Sequence, residues 1–590
     1  MSAIVTARSI HPPKRLGLLR RHRIATGLGA AILLLLAGAW LAAAWIDRDG
    51  LQFFATGRAT VGLLHNLAGA LEKRDLRAVE ALYSPGFRGR ALGLTDLRLA
   101  EERDGIRTYR FHSAGETADR AAALAEWQAY LARFATIESV EAHIHLLDQW
   151  DPGEDVVASV RFELIGTPTG ERQAGIDRAY FKLRFARTAS GLAIRQASLV
   201  SGDRVIGDKP HFEDVAKSAG VDFMNRYYPA FLNQPLKFVM LRYGPAGISA
   251  VDYDDDGFYD LFIPDGVESK LFRNRHDGTF EDVTAKAGLS GLDGVSTAIF
   301  ADYDDDGHKD LFVSRTFKPN QLFHNNGDGT YTDVTAKAGI GADCCTTAAS
   351  WADYDNDGKL DLYVGRYLDP RKNIPTTFYA RDGEPNQLYH NNGDGTFTNV
   401  TRKAGVGEPG LCLGTVFGDY NDDGWPDLYV VNDFGRNTLY RNNRDGTFSD
   451  VSKESNTLDY GAGMSASFGD YDNDGKLDLY VANIRSEERW FGEMPTVRRY
   501  MLTALRQGVL WEDLPVYYEI YKQSGFSYRE VFQQMGSGNS LLHNQGDGTF
   551  EDVSWKAGAN PPGWFWGSGF ADFDNDGWQD IYSANGWVYA

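Results

Sequence analysis

The chain has 590 residues, with 81 acidic against 60 basic side chains, a net charge of −21 and three cysteines. That length is ample for two folded domains. The acidity argues against a nucleic-acid partner, and three cysteines leave room for one disulfide at most.

Residues 1–23 form a basic tail carrying Arg8, Lys14, Arg15, Arg20, Arg21 and Arg23, and residues 24–46 are free of charge. An uncharged run of that length predicts a transmembrane helix. Its basic flank predicts a cytoplasmic amino end, a single pass through the cell membrane, and all later residues outside the cytoplasm, periplasmic or extracellular. Trp40 and Trp45 sit where an interfacial belt would lie and favour an uncleaved anchor. Ala42-Ala43-Ala44 also fits a signal-peptidase site, whose use would make the protein secreted.

Residues 51–205 have a different texture. Helical spacing at 59–83 and 117–136 precedes strands with apolar alternation, such as Val156, Ala158, Val160, Phe162 and Leu164, then Ala179, Phe181, Leu183 and Phe185. This order resembles the α+β cone of the nuclear-transport-factor type. Glu141, His143 and His145 share one strand face and could ligate a metal; a polar strand face is the preferred reading. No Ser-His-Asp spacing, phosphate loop or dinucleotide fingerprint occurs.

From 210 to 590 one pattern recurs six times: Asp-x-(Asp/Asn)-x-Asp-Gly-x-x-Asp. Four carboxylates within nine residues repel one another unless a cation joins them. Calcium accepts six to eight oxygens in irregular geometry, so positions 1, 3, 5 and 9 supply side chains and position 7 a carbonyl. The candidate ligands are Asp252, Asp254, Asp256, Phe258 and Asp260; Asp302, Asp304, Asp306, His308 and Asp310; Asp353, Asp355, Asp357, Lys359 and Asp361; Asp419, Asn421, Asp423, Trp425 and Asp427; Asp470, Asp472, Asp474, Lys476 and Asp478; and Asp572, Asp574, Asp576, Trp578 and Asp580. Asn421 offers a neutral oxygen, so the fourth site is expected to bind most weakly. Magnesium prefers near-octahedral sites rich in water, and no His or Cys stands at a side-chain ligand position to suit zinc. Up to six calcium ions would bring the charge from −21 to −9.

An EF-hand loop would end in Glu at position 12, between helices. Position 12 here is Ile263, Val313, Val364, Val430, Val481 or Ser583, so the loop feeds a strand. Loop starts at 252, 302, 353, 419, 470 and 572 set a basal period near 50. Between them recurs Leu271-Phe-Arg-Asn274, then Asp277-Gly278-Thr-Phe280, which reads as strand, turn, strand. Four short strands per period predict a mainly β fold, a calcium-binding β-propeller.

These motifs resemble FG-GAP/VCBS repeats of integrin-α-type propellers, in particular the cartilage-acidic-protein-like branch that carries an ASPIC/UnbV region. Ser465 to Gly475 and Gly567 to Gly577 carry the resemblance most fully. It implies calcium ligands at the positions named, and a seven-bladed fold. Phe212-Glu213-Asp214-Val215 matches a fourth strand without its predecessors, and the sixth repeat reaches Ala590 after two strands without an ASPIC/UnbV segment, so the expectation is a C-terminally truncated chain.

Extra length falls between the second and third strands of repeats three and five. The longer insertion, about 485–537, spaces Val497, Met501 and Leu505 as a helix and is rich in aromatics, which predicts a helical cap opposite the acidic loops. Cys345 and Cys412 enter nearly equivalent positions of neighbouring repeats; a bond between them, a Cys344–Cys345 bond and free thiols are all open. The expected function is non-enzymatic binding of a protein or glycan by a membrane-anchored calcium propeller. The alternative is an extracytoplasmic enzyme whose chemistry lies in 51–205, with the propeller as substrate platform.

Overall fold

The computed structural model describes most of residues 52–586, apart from 54, 91–93, 104, 113–116, 208–213, 227–246, 316, 342–343, 370–382, 434, 486–537, 562 and 574, together with isolated positions between 37 and 48. The expected helical cap and Asp574 lie outside the described residues, as does most of 24–46.

The single-pass membrane arrangement is corrected. Among the described residues no helix is long and apolar enough to cross a membrane. The helix over 55–72 carries Arg58, Thr60, His65, Asn66 and Glu72 along its length. It packs through Leu63, Leu64, Leu67 and Leu71 into a protein core.

That helix stops at Lys73-Arg74, where Arg74 takes a left-handed φ of 55°. Asp75 then caps a separate helix, Leu76–Ala81, by accepting from the backbone N–H of Arg77 and Ala78. The single helix expected over 59–83 is thus two. Likewise 117–136 divides into a strand, Thr117–Asp119, and a helix, Arg120–Leu131, whose N-cap is Asp119.

These helices cover a six-stranded antiparallel sheet in the spatial order Leu97–Arg103, Ile106–Phe111, Gly191–Ile206, Gly175–Thr188, Val156–Pro168 and Phe134–Gln149. Val156, Ala158, Val160, Phe162 and Leu164 all face the core and are at most 2% exposed. Trp127, Tyr130, Phe134, Phe162 and Phe181 fill the space between sheet and helices with edge-to-face and tilted ring contacts.

Beyond residue 248 the described chain builds four four-stranded antiparallel sheets in succession and then a six-stranded one, whose first four strands repeat the same unit as a fifth sheet. Their strands are Ser249–Val251, Asp260–Ile263, Lys270–Asn274 and Phe280–Asp282; Val295–Ala301, Asp310–Arg315, Gln321–Asn325 and Tyr331–Asp333; Thr346–Ala352, Asp361–Arg366, Gln387–Asn391 and Phe397–Asn399; Leu411–Gly418, Asp427–Asp433, Thr438–Asn442 and Phe448–Asp450; and Gly463–Gly469, Asp478–Arg485, Ser540–Asn544 and Phe550–Asp552. A sixth unit has two described strands, Gly563–Ala571 and Asp580–Asn585, and joins the fifth where Ile484 and Arg485 pair with Trp564 and Gly563.

Apolar residues from consecutive sheets interleave. Phe262 and Val283 of the first meet Leu311 and Phe323 of the second, and Phe312 of the second meets Leu362 and Tyr389 of the third. Adjacent first strands are tied by hydroxyls: Thr297 Oγ1 donates to Thr347 O at 2.9 Å, Thr347 Oγ1 to Cys412 O at 2.6 Å, and Ser467 Oγ to Ser568 O at 2.8 Å. Of the cysteine pairings left open, the structure forms Cys344–Cys345, and Cys412 is a buried thiol.

Candidate metal centres

Each acidic loop is shaped by its first carboxylate. Asp252 accepts from the backbone N–H of Asp256 at 3.0 Å and of Gly257 at 2.9 Å, and Asp302, Asp353, Asp419, Asp470 and Asp572 repeat both bonds. Closing so tight a ring puts position 4 in the left-handed region, with φ of 54–57° at Asp255, Asp305, Asn356, Asp422, Asn473 and Asn575. Asp and Asn are the non-glycine residues that tolerate this conformation best. Position 6 also has positive φ and is glycine in all six loops. The position 5 carboxylate accepts from the N–H of position 7, as Asp256 does from Phe258 at 3.0 Å.

The ninth position anchors the loop to the sheet. Asp260, Asp310, Asp361, Asp427 and Asp478 are each at most 1% exposed. Their Oδ1 atoms accept from the backbone N–H of Asn274, Asn325, Asn391, Asn442 and Asn544 at 2.7–2.8 Å. Burial pushes these acids up, Asp260 to about 6 and Asp310, Asp361 and Asp427 to about 7, against the partial relief of those N–H donors. Asp478 moves in the same direction for the same reason.

Position 3 is different. The Oδ1 atoms of Asp254, Asp355, Asp472 and Asn421 are buried without a hydrogen-bond partner. An oxygen removed from water and given no donor costs about 1–3 kcal/mol, and the same atom recurs in four loops. Oxygens of Asp252, Asp254 and Asp260 come within 4.8 Å of one another. A hard cation fits this donor set, because it meets several oxygens at once and needs no hydrogen-bond angle. At the fourth loop Asn421 Nδ2 lies 3.3 Å from Asp427 Oδ2, so an amide hydrogen partly does a cation's work.

Position 7 was expected to lend only its carbonyl, yet several of its side chains act too. His308 Nδ1 lies 2.7 Å from Asp255 Oδ2 of the preceding loop, Lys359 Nζ donates to Asp357 at 2.7 Å, Lys476 pairs with Asp474, and Phe258 stacks on His276. Neighbouring loops also touch through Asn356 Nδ2 to Gly424 O and Asn473 Nδ2 to Gly577 O, both 2.8 Å. The acidic loops therefore lie side by side along one end of the sheets.

The third strand brings in side chains that the loop motif does not contain. His324 Nδ1 lies 3.3 Å from Asp304 and 3.1 Å from Asp310; His390 lies 3.3 Å from Asp355 and 3.2 Å from Asp361; His543 lies 3.5 Å from Asp472 and 3.1 Å from Asp478. In the first repeat the same position is Arg273, paired with Asp254 and Asp256. The signal was in the recurring Leu-x-x-Asn segment, whose third residue is basic or His in every copy; sequence alone reads it only as a hairpin strand.

In the six-stranded sheet that the helices cover, His143 Nε2 lies 3.0 Å from Glu141. His145 instead stacks on Trp555 of the repeat region at 4.0 Å, with its Nδ1 3.2 Å from Asn560 Nδ2. Tyr180 meets the same indole edge-on at 4.4 Å. Deeper in, Asp177 is held by Arg204 at 2.6 and 2.7 Å and by Tyr130 Oη at 2.7 Å.

A model of the FG-GAP-like repeat family matches residues 252–313, 302–364, 375–430, 419–481 and 528–583. Cartilage acidic protein 1 of Homo sapiens is 22% identical over 278 residues, covering 45% of this chain and 42% of that protein; the Xenopus tropicalis protein is 22% identical over 271 residues, covering 43% and 40%. The chain thus spans about two-fifths of the length of the curated relatives it matches. Among solved structures, an Agrocybe aegerita lectin described as recognising non-reducing terminal N-acetylglucosamine overlaps 61% of this chain and 78% of its own, at 15% identity and a TM-score of 0.31. An NTF2-like protein with a cystatin-like fold from Novosphingobium aromaticivorans overlaps 30% and 87%, at 15% identity and a TM-score of 0.15.

Proposed function

This chain is an FG-GAP repeat protein distantly related to cartilage acidic protein 1, and on that premise we propose that its stacked sheets are blades of a β-propeller whose acidic loops bind calcium. The ion's role is structural. Held by positions 1, 3, 5 and 9, it would gather carboxylates that otherwise repel one another at the end of each blade.

One observation carries this reading: the buried, unpaired Oδ1 of position 3 recurs in four loops. Hydrogen bonds already orient the carboxylates at positions 1, 5 and 9, so binding would find a preformed site with little ordering cost.

Such a scaffold acts by binding a protein or glycan rather than by catalysis. The cone interior supports this, being filled by Trp127, Tyr130, Phe134, Phe162 and Phe181. Its buried ion pair, Asp177 with Arg204, is already satisfied by Tyr130. On the side of the sheets away from the acidic loops an open cleft of about 640 Å³ with a mixed polar and apolar lining lies between the third and fourth sheets, among Arg366, Pro385, Gln387, Arg402, Pro409 and Tyr440. The guanidinium groups of Arg366 and Arg402 and the amide of Gln387 beside the two prolines suit a ligand with both polar and apolar faces, such as a sugar or a peptide.

Thermal unfolding of the whole chain in millimolar calcium and in chelator tests the metal reading. Saturating a site at ten times its dissociation constant contributes about 1.4 kcal/mol, so several sites should raise Tm by many degrees. An unchanged Tm refutes calcium binding.

A further inference from the structure

The second strands of the second and third sheets each end in an arginine, and the two arginines are held differently. Arg315 pairs with Val295 and Arg366 with Thr346, so they stand at equivalent positions, which Asn432 and Asn483 fill in the next two sheets. Arg315 is held at every nitrogen. Its Nη2 pairs with the Asp293 carboxylate, Nε donates to Asp293 O at 3.0 Å, and Nη1 donates to Gln321 Oε1 at 2.8 Å.

In the third sheet each of those acceptors is changed. The counterpart of Asp293, two residues before the strand partner, is Cys344; its sulfur is bonded to Cys345, and it offers Arg366 a carbonyl at 3.3 and 3.4 Å. Gln387 stands where Gln321 does, but its Oε1 accepts from Tyr389 Oη at 2.9 Å. The fourth strand ends in Asp282, Asp333, Asp450 and Asp552 in the other sheets and in neutral Asn399 here. Arg366 therefore makes hydrogen bonds of 3.3–3.5 Å, and the carboxylate among its partners, Glu384, is the most distant at 3.5 Å. A guanidinium properly seated on a carboxylate lies at about 2.7–2.9 Å. The Arg366 side chain is 9% exposed, and a charge taken from water is costly unless close partners replace the water. This guanidinium borders the cleft between the third and fourth sheets, which exposed Arg402 also lines. The one acidic residue in the lining, Glu408, is turned to Asn432 Nδ2 at 2.9 Å and Thr438 Oγ1 at 3.1 Å.

From this mismatch we propose that the cleft is a carboxylate site and that its ligand is an acidic glycan, a saccharide of uronic acid. The ligand carboxylate takes beside Arg366 the place that Asp293 takes beside Arg315, and Arg402 supplies a second cation. The proposal rests on the reading of this cleft as a ligand site, and it does not need metal to be bound. A volume of about 640 Å³ lies within the range of small-ligand sites, roughly 300–1,000 Å³, and suits a short saccharide. A protein partner would spread over about 800 Å² of surface. Pro385 and Pro409 offer apolar surface to the C–H faces of a sugar ring, and the carboxamides of Gln387 and Asn399 offer donors and acceptors to its hydroxyls. Charge decides the class, because a neutral sugar would leave Arg366 without a close anion.

The probe is trigalacturonate, titrated calorimetrically into the 590-residue chain in millimolar calcium, beside its methyl ester, which keeps the size and loses the charge. Saturable one-to-one binding is expected, at least tenfold weaker for the ester and for the Arg402→Gln chain. Gln387→Glu sets a carboxylate where Gln321 meets Arg315; it should raise Tm and weaken trigalacturonate binding at least tenfold. Arg275→Gln removes the same charge from an exposed turn of the first sheet and should bind as the parent does. Trigalacturonate binding that Arg402→Gln and Gln387→Glu both leave unchanged overturns the proposal, since the ligand would then sit elsewhere, on loop-bound calcium for instance. An ester that binds at least as tightly as the acid, and is blocked by Pro409→Trp, overturns the acidic class and leaves the cleft a ligand site. Tighter binding of a triglutamate peptide through the same residues overturns the glycan in favour of an acidic peptide. Absence of saturable binding by acid, ester and peptide alike overturns the proposal together with the reading of the cleft.

Discussion

The carboxamide of Asn391 donates at 2.7 Å to the carbonyl of Tyr303, 88 residues earlier, and at 3.1 Å to the carbonyl of Leu360 within its own sheet. One side chain therefore ties the acidic loop of one repeat to the acidic loop of the repeat before it. Its own Oδ1 accepts from Gly393 N at 3.0 Å and sets the hairpin turn.

Replacing this residue should be costly. Asn391→Ala leaves the Tyr303 carbonyl without its donor inside the sheet stack, and the expected loss is about 2–3 kcal/mol. Urea unfolding monitored by circular dichroism should show a lower midpoint at an unchanged slope.

Metal-free stability should fall as pH rises toward neutrality. Burial raises Asp310, Asp361 and Asp427 to about 7, above their ordinary carboxylate value in the unfolded chain. A group raised on folding contributes stability that is fully present below its unfolded pKa and is lost as pH rises through the folded one. In chelator, Tm should therefore decline between pH 5 and 8; with calcium the decline should vanish and binding should release protons. Calorimetric titration in two buffers of different ionisation enthalpy measures that release.

The fourth loop offers a change of opposite sign in the two states. Asn421→Asp exchanges an amide that lies 3.3 Å from Asp427 for a fourth carboxylate. Without metal the like charges should lower stability by about 1 kcal/mol; with calcium the site should bind more tightly. Trp425 at position 7 provides a local donor for terbium luminescence, which reads this site directly.

Trp555 is one contact between the two folded parts, stacked on His145 and meeting Tyr180 edge-on, beside Asn560 at His145 and Tyr460 in the core of the first part. Trp555→Ala should cost about 1–3 kcal/mol for a half-buried indole. Its more telling effect should be on cooperativity: differential scanning calorimetry should resolve two transitions in the variant where the parent chain shows a closer-coupled unfolding.

Asp177→Asn should be among the most damaging single changes in the helix-covered six-stranded sheet. It strands Arg204, which lies 5% exposed by its side chain beside the Phe134 ring. Breaking one half of a buried pair costs about 3–5 kcal/mol, readable as a lowered denaturation midpoint for this part of the chain.

The acidic loops were legible residue by residue because their chemistry is local. Asp252 closes its ring onto Asp256 and Gly257, four and five residues away, and the left-handed φ at Asp255 and its equivalents needs only Asp or Asn at position 4. The apolar alternation of Val156 to Leu164 was legible for the same reason, since a strand's two faces differ within consecutive residues. The break between 55–72 and Leu76–Ala81 was marked by Asp75, but a continuous apolar period masked that capping signal.

What required the tertiary structure lies across repeats. His324, His390 and His543 stand 14 to 71 residues from the carboxylates they face, and the Asn391 to Tyr303 tie crosses from one sheet to another. The uncharged 24–46 run satisfied a length rule but placed no membrane-crossing helix among the described residues, and His145 shared a strand face with His143 yet turned out to serve a contact with Trp555. The sequence by itself determined that this is a mainly β repeat protein with six acidic loops, because loop closure and strand alternation are decided by neighbours in the chain. Only the tertiary structure decided which side chains complete those loops and which carbonyls of a neighbouring repeat they reach, because those contacts exist only once sheet packs upon sheet.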